Sequence, residues 1–405
     1  MVRGVDKSRF DVIVIGAGIN GAGIARDAAM RGLKVLLIDK GDPGAGTTSA
    51  STRLIHGGLR YLEHFEFGLV RESLREREIL LRIAPGFVKP LPIAIPIYKN
   101  GKRGRLTIRA GMILYDLLSW SKSLPNHRML SRTRTLERWP GLNPEGLLGA
   151  ALYYDAQVEF PERLVAANVR SAQEFGAEVL THTRVTRLVV EDAKVCGVEF
   201  VREDGQEQFA ESSVVINAAG PWIDLVLETV ASPKLIGGTK GSHLIAPPFP
   251  SAPATAIYLE ARSDGRPIFI IPWNKLYLIG TTDVRFEGDP DEVCCEPWEV
   301  DYLLSESNLA FPVAGLTRDS ILDTYSGVRP LPVTNDKNEQ NITRRHFIRE
   351  HPRLPNLLSI VGGKLTTYRS LAEECVDLIF RKLGKGPIAS MTATEGLAAD
   401  FTDLT

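Results

Sequence analysis

The sequence predicts an α/β fold, and three observations carry that reading. The apolar run 10–15, FDVIVI, ends at a glycine and reads as a buried parallel strand. It passes into GAGINGAG, where Gly16, Gly18 and Gly21 stand at the GxGxxG spacing. A second apolar run, KVLLID, ends in Asp39. A strand, a glycine turn, a helix and a strand closing on an acid form a dinucleotide-binding unit.

Each part of that unit has a physical reason. Gly16 permits the tight turn, Gly18 lets backbone approach a pyrophosphate, and Gly21 lets the helix lie close to the strand. The helix INGAGIARDAAMR turns its partly positive N-terminus towards the phosphates, and Gly32 can end it. Asp39 stands where an acid would bind the adenosine ribose hydroxyls. A lone GxGxxG would be a weak signal, and the plain alternative is a glycine-rich turn without a ligand. The complete unit favours the ligand.

The next stretch, GDPGAGTTSAST (41–52), has almost no side-chain bulk and offers the hydroxyls of Thr47, Thr48, Ser49, Ser51 and Thr52. It can lie along a large flat cofactor. The chain then enters RLIHGGLRYLEH instead of a further helix–strand repeat, which points to FAD rather than a nicotinamide. Residues 71–84 read as a charged amphipathic helix ended by Pro85-Gly86. Residues 161–176 read as another, with Pro161 in its first turn and Gly176 at its end. A meander follows, with a DG turn at 204–205, and VVINAAGPW ends a buried strand at Ala219 and Gly220. The last cofactor piece is a strand, then Gly362-Gly363, then a helix through Leu365 and Thr366. A helix start there can stabilise negative charge on a reduced flavin.

Composition narrows the function classes. The chain has 405 residues, enough for more than one structural domain, and a net charge of −1, which gives no general case for nucleic-acid binding. Four cysteines form no CxxC pair, and Cys294 and Cys295 are adjacent, so a reducing cytoplasm and no metal site are expected. No apolar run reaches membrane-span length, and FDVIVIG is too short for a signal segment.

Residues 10–70 resemble FAD-dependent, quinone-linked, aerobic-type glycerol-3-phosphate dehydrogenases. The resemblance recurs in KGSHLI (240–245), IPWNKLYLIGTTDV (271–284), TYSGVRPL (324–331), NITRRH (341–346) and VGGKLTTYR (361–369). It implies a glutathione-reductase-like FAD-binding Rossmann domain with an inserted α+β substrate domain built on an antiparallel sheet. Residues 1–90, 155–225 and 325–385 would form the FAD domain, and 91–154 and 226–324 the substrate domain. Longer family members carry a helical C-terminal domain; here 386–405 reads as a polar linker or disordered tail. The implied reaction oxidises sn-glycerol 3-phosphate to dihydroxyacetone phosphate and passes electrons to a membrane quinone. A homodimer is compatible with the family.

A phosphate monoester carries about two negative charges, so its site wants several cations with directed donors. Arg60, Arg329, Arg344 and Lys364 are the candidates, each beside small residues or prolines. Any one of them alone would pass for a solvated surface residue. By resemblance all four face one pocket, with Tyr61 adding a hydroxyl. Arg345 adjoins Arg344, which leaves the inward-facing member of that pair undecided. Oxidation at C2 needs a hydride acceptor and a base. The resemblance favours His243 as base, Arg329 as the stabiliser of developing alkoxide charge, and His56 as a positioner of flavin or substrate. His56 reads equally well as a structural histidine. Thr281, Thr282 and Asp283 have no clear role beyond a supporting turn.

Residues 86–128 hold Lys89, Lys99, Lys102, Arg103, Arg105, Arg109, Lys122 and Arg128 against Asp116 alone. Interleaved apolar segments suit peripheral contact with a membrane, here its cytoplasmic inner face; a solvated basic loop is the bland alternative. Other readings are a glycerol-3-phosphate oxidase using dioxygen, an amine or amino-acid oxidase of the same fold, and a non-catalytic flavin-containing sensor of phosphate ligands or membranes.

Overall fold

A computed structural model describes residues 9–334 and 342–398. Asn341 of the NITRRH block and residues 399–405 of the tail lie outside the described residues. The molecule is α/β, with two sheets. The first sheet runs, edge to edge, Phe347–His351, Leu354–Val361, Glu207–Asn217, Arg9–Ile15, Val35–Ile38 and Glu178–Leu180. All its neighbours on this path are parallel except the first pair. The Thr183–Glu191 and Lys194–Arg202 hairpin joins it antiparallel to Glu207–Asn217.

The helix Ile19–Met30 is buried along nearly its whole length, which its small residues allow. It lies against the helices Pro161–Glu174 and Tyr368–Lys382. A Cβ on Gly23 would stand 2.8 Å from the Tyr368 ring, so the contact with the last helix requires a glycine. Polar bonds lock the same face: Asp27 pairs with Arg31 at 2.7 Å, and Arg26 donates to Ser171 Oγ at 3.0 Å.

The second sheet has the order Val284–Arg285, Thr239–Ala246, Leu276–Gly280, Pro267–Trp273, Ala256–Glu260, Val88–Tyr98, Leu147–Val158 and Leu54–Ile55. It is antiparallel except where Ala256 and Ile257 pair with Ile93 and Ala94. Asp323–Arg329 adds to Thr239–Ala246, and Arg128–Ser131 to Leu147–Val158. Residues 323–329 thus run in the same sheet as the strand bearing His243, and this registers Tyr325 beside His243.

The reading of 386–398 as a linker or disordered end needs correction. The Leu397 N–H donates to Ile83 O at 2.7 Å, and the Leu397 side chain is buried in the core of the first sheet. The Glu395 carbonyl accepts from Arg26 at 3.0 Å, and Thr392 bonds Asp27 and Arg369 at 3.3 Å. Buried charges on the first helix need these partners. Polarity in the tail therefore marks satisfaction of a buried network, which composition cannot distinguish from solvation.

Candidate active site

A cavity of about 1270 Å³ runs between the two sheets. One end is made by the first strand and its glycine turn. Gly16 has φ +99°, and a Cβ there would fall 2.6 Å from Ala218 O. A Cβ on Gly21 would stand 1.8 Å from Gly16 O. Gly18 caps the helix, and the Thr48 hydroxyl accepts from the Ile19 N–H at 3.2 Å. Asp39 accepts from the N–H of Ala17 at 2.5 Å and of Gly41 at 2.9 Å. Burial raises its carboxyl above the usual range, although both backbone bonds pull the other way.

The small-residue stretch docks onto the second sheet. Thr47 Oγ1 donates to Val328 O at 2.6 Å, and the Tyr325 hydroxyl donates to Ser51 O at 3.0 Å. Gly327 matters here, since a Cβ would stand 2.8 Å from Ala50 Cβ. Thr48 and Ser51 line the cavity, as do Ala219, Gly220, Gly362, Gly363, Leu365 and Thr366. Ser49 does not: its hydroxyl turns back to the carbonyls of Ala45 and Gly46. Serine in such a turn satisfies local carbonyls first.

At the far end, Arg60, Tyr61, Arg329, Arg344, Lys364 and both expected histidines line the same cavity. Arg344 is the inward member of its pair, and Arg345 is exposed. Lys364 donates to Ser73 Oγ at 2.6 Å and lies 4.6 Å from the centroid of the Tyr61 ring. Burial pushes its ammonium down to about 8, against the pull of Glu72, Glu66 and Asp155. His243 is buried; its Nε2 lies 2.9 Å from Thr52 Oγ1 and its ring stacks on Tyr325 at 4.8 Å. Burial first, then the charges of Arg329 and Arg53, push it down to about 3. His56 is pushed down to about 4, mainly by burial, although Asp155 pulls it up. Burial thus favours the neutral form of both imidazoles near pH 7.

Residues 11–378 match the family described as FAD dependent oxidoreductase. The chain belongs to that family. It is 49% identical over 408 residues to a glycerol-3-phosphate dehydrogenase of Synechocystis, covering 97% of this chain and 74% of that one. An aerobic glycerol-3-phosphate dehydrogenase of Staphylococcus haemolyticus is 36% identical, covering 94% and 69%. The structure of a Bacillus halodurans glycerol-3-phosphate dehydrogenase complexed with FAD superposes with a TM-score of 0.77 at 30% identity, covering 98% and 70%.

As a member of the FAD-dependent oxidoreductases the protein is an enzyme with FAD as cofactor. Its residues fit the group: Gly16 and Gly21 keep side chains out of the turn, and the positive-φ glycines Gly362 and Gly363 bring backbone to the cavity. Sequence reasoning missed the anchor of the HGGLRY loop. The Gly57 N–H donates to the Tyr115 hydroxyl at 2.9 Å, which bonds Asp155 at 2.8 Å, and Asp155 pairs with Arg77 at 2.6 Å. Tyr115 and Asp155 lie 58 and 98 residues from Gly57, so no local pattern pointed to them. Asp283 was legible only as part of a turn.

Proposed function

We propose that this enzyme oxidises sn-glycerol 3-phosphate to dihydroxyacetone phosphate. The carrying observation is the convergence of Arg60, Arg329, Arg344 and Lys364 with His243 on one cavity. The names of the relatives support the same substrate. Bound FAD supplies a two-electron acceptor for the C2–H bond. Lys364, Arg60 and Arg344 bind the phosphate, and the Tyr61 hydroxyl orients it. His243 takes the C2 hydroxyl proton at Nε2, on the edge now occupied by Thr52 Oγ1. Arg329 stabilises the oxygen as negative charge grows there. His56 orients the reacting end, held in place by its backbone N–H, which donates to the Thr366 hydroxyl at 3.0 Å. The first sheet would carry the cofactor and the second would close over the substrate.

Quinone is the acceptor we favour, with peripheral contact to the membrane inner face. Support comes from the helix Arg105–Leu118, which buries Met112 and Tyr115 yet exposes Leu106, Ile113 and Leu117, with Trp120 84% exposed just beyond it. Large exposed apolar groups beside Lys99, Lys102 and Arg105 suit an anionic lipid surface. Arg103 and Lys122 are engaged elsewhere, with Glu63 and Glu260 and with Asp116 respectively. Among the described residues, no helix is long and apolar enough to cross a membrane.

The decisive experiment is anaerobic mixing of the FAD-loaded enzyme with sn-glycerol 3-phosphate. Rapid bleaching of the oxidised flavin band, absent with glycerol, supports the reading. Persistence of the band refutes it. Admitting dioxygen or a quinone analogue then separates oxidase from dehydrogenase.

A further inference from the structure

The turn at 280–284 puts a carboxylate between two of the cations. Asp283 Oδ1 lies 3.0 Å from Arg329 Nη1, and its Oδ2 lies 2.9 Å from Arg344 Nη2. We propose that Asp283 is a positioning residue for the anion pocket, spacing and aiming the two guanidinium groups at substrate oxygens. The inference rests on the reading of this cavity as a phosphoester site.

The surrounding geometry leaves each arginine with a fixed face. Arg329 Nη2 donates to Thr281 Oγ1 at 3.0 Å and to Thr282 O at 3.3 Å. A Cβ on Gly241 would stand 2.1 Å from that nitrogen, so the guanidinium lies directly against glycine backbone. Arg344 is tied through Nη2, while its Nη1 is buried without a hydrogen-bond partner. A buried guanidinium nitrogen left unpaired costs stability, and an oxyanion in the cavity would relieve that cost. Asp283 is itself anchored, because its carbonyl accepts from Arg266 Nη1 at 2.5 Å. It is therefore a fixed post for two long, rotamer-rich side chains. Holding them in place before substrate arrives removes an ordering cost from binding.

A carboxylate in an anion site has two opposed effects, and their sign is the test. As a bare counter-charge, Asp283 weakens anion binding, so its neutralisation would tighten phosphate. As a positioner it strengthens binding, so its neutralisation would loosen phosphate. The probe is inorganic phosphate titrated into the holoenzyme, read by calorimetry and by flavin absorbance. Asp283→Asn should weaken phosphate binding about tenfold or more and raise KM for sn-glycerol 3-phosphate in parallel. Asp283→Glu should recover part of both. Arg344→Gln combined with Asp283→Asn should be less than additive, because the carboxylate acts through that arginine. Unchanged or tighter phosphate binding by a flavin-loaded Asp283→Asn variant overturns the proposal, as does full additivity. Should that variant fail to hold FAD, Asp283→Glu alone and with Arg344→Gln closes the same cycle, and additivity there overturns the proposal equally. A parent enzyme that binds phosphate without being reduced by sn-glycerol 3-phosphate would defeat the substrate reading, while the phosphate titrations still decide the role of Asp283.

Discussion

Nε2 of His243 lies 2.9 Å from Oγ1 of Thr52, joining a strand of the second sheet to the stretch of small residues that lies along the cofactor cavity. The ring has little freedom. Tyr325 stacks on it, and a Cβ on Gly280 would stand 2.4 Å from it. Nδ1 is buried without a partner, and Nε2 is the nitrogen that faces Thr52.

His243→Asn keeps a hydrogen-bonding side chain beside Thr52 but removes the base. Anaerobic flavin reduction by sn-glycerol 3-phosphate should slow by about 10²–10⁴-fold, with FAD content unchanged. Thr52→Val should slow it less. A rate for His243→Asn close to that of the parent would remove the assigned role.

Lys364, as a proposed phosphate ligand, should set an alkaline limb. Its ammonium, pushed down to about 8 by burial, is charged below that pH and neutral above it. Its proposed contribution to phosphate binding should therefore be present at pH 7 and lost as pH rises through about 8. In kcat/KM profiles, which report the free enzyme, Lys364→Arg should move this limb upward by more than about one pH unit, since guanidinium stays charged. An identical limb in both proteins would assign it to another group.

Gly21→Ala tests the cofactor turn. Its new methyl would stand only 1.8 Å from Gly16 O, so strand and helix must separate. Purified Gly21→Ala should carry less than about a tenth of the parent's flavin, and lose about 1–3 kcal/mol of stability by overpacking. The ratio of flavin to protein absorbance checks the first, and urea unfolding the second.

The proposed membrane face has its own signature. Leu106→Asp with Trp120→Asp should reduce flotation with anionic liposomes, as should Lys99, Lys102 and Arg105 changed to Glu; turnover with a water-soluble acceptor should stay within about twofold. Arg103 is left intact because Glu63 and Glu260 hold it. Equal flotation of all variants would make this face an ordinary surface.

Much of the site was legible because each cation carries its own local signal. Arg60, Arg329 and Lys364 each follow glycines or precede a proline that constrains nearby backbone, and the blocks around them are long. The choice between Arg344 and Arg345 was not legible, since neighbouring side chains in an irregular segment have no periodicity to sort them. The turn bonding of Ser49 was hidden for a related reason: in a run of hydroxyl residues, composition does not say which one bonds its own turn.

The βαβ unit and its glycines follow from the chain itself, because a tight turn and close approach are local demands met within about thirty residues. The partnership of Asp283 with Arg329 and Arg344, the Tyr115–Asp155 anchor under Gly57, and the docking of the 386–398 segment on Arg26 and Asp27 belong to the tertiary structure. Those contacts join positions 40 to 369 residues apart. Burial alone makes an unpaired charge or hydroxyl costly enough to demand a distant partner.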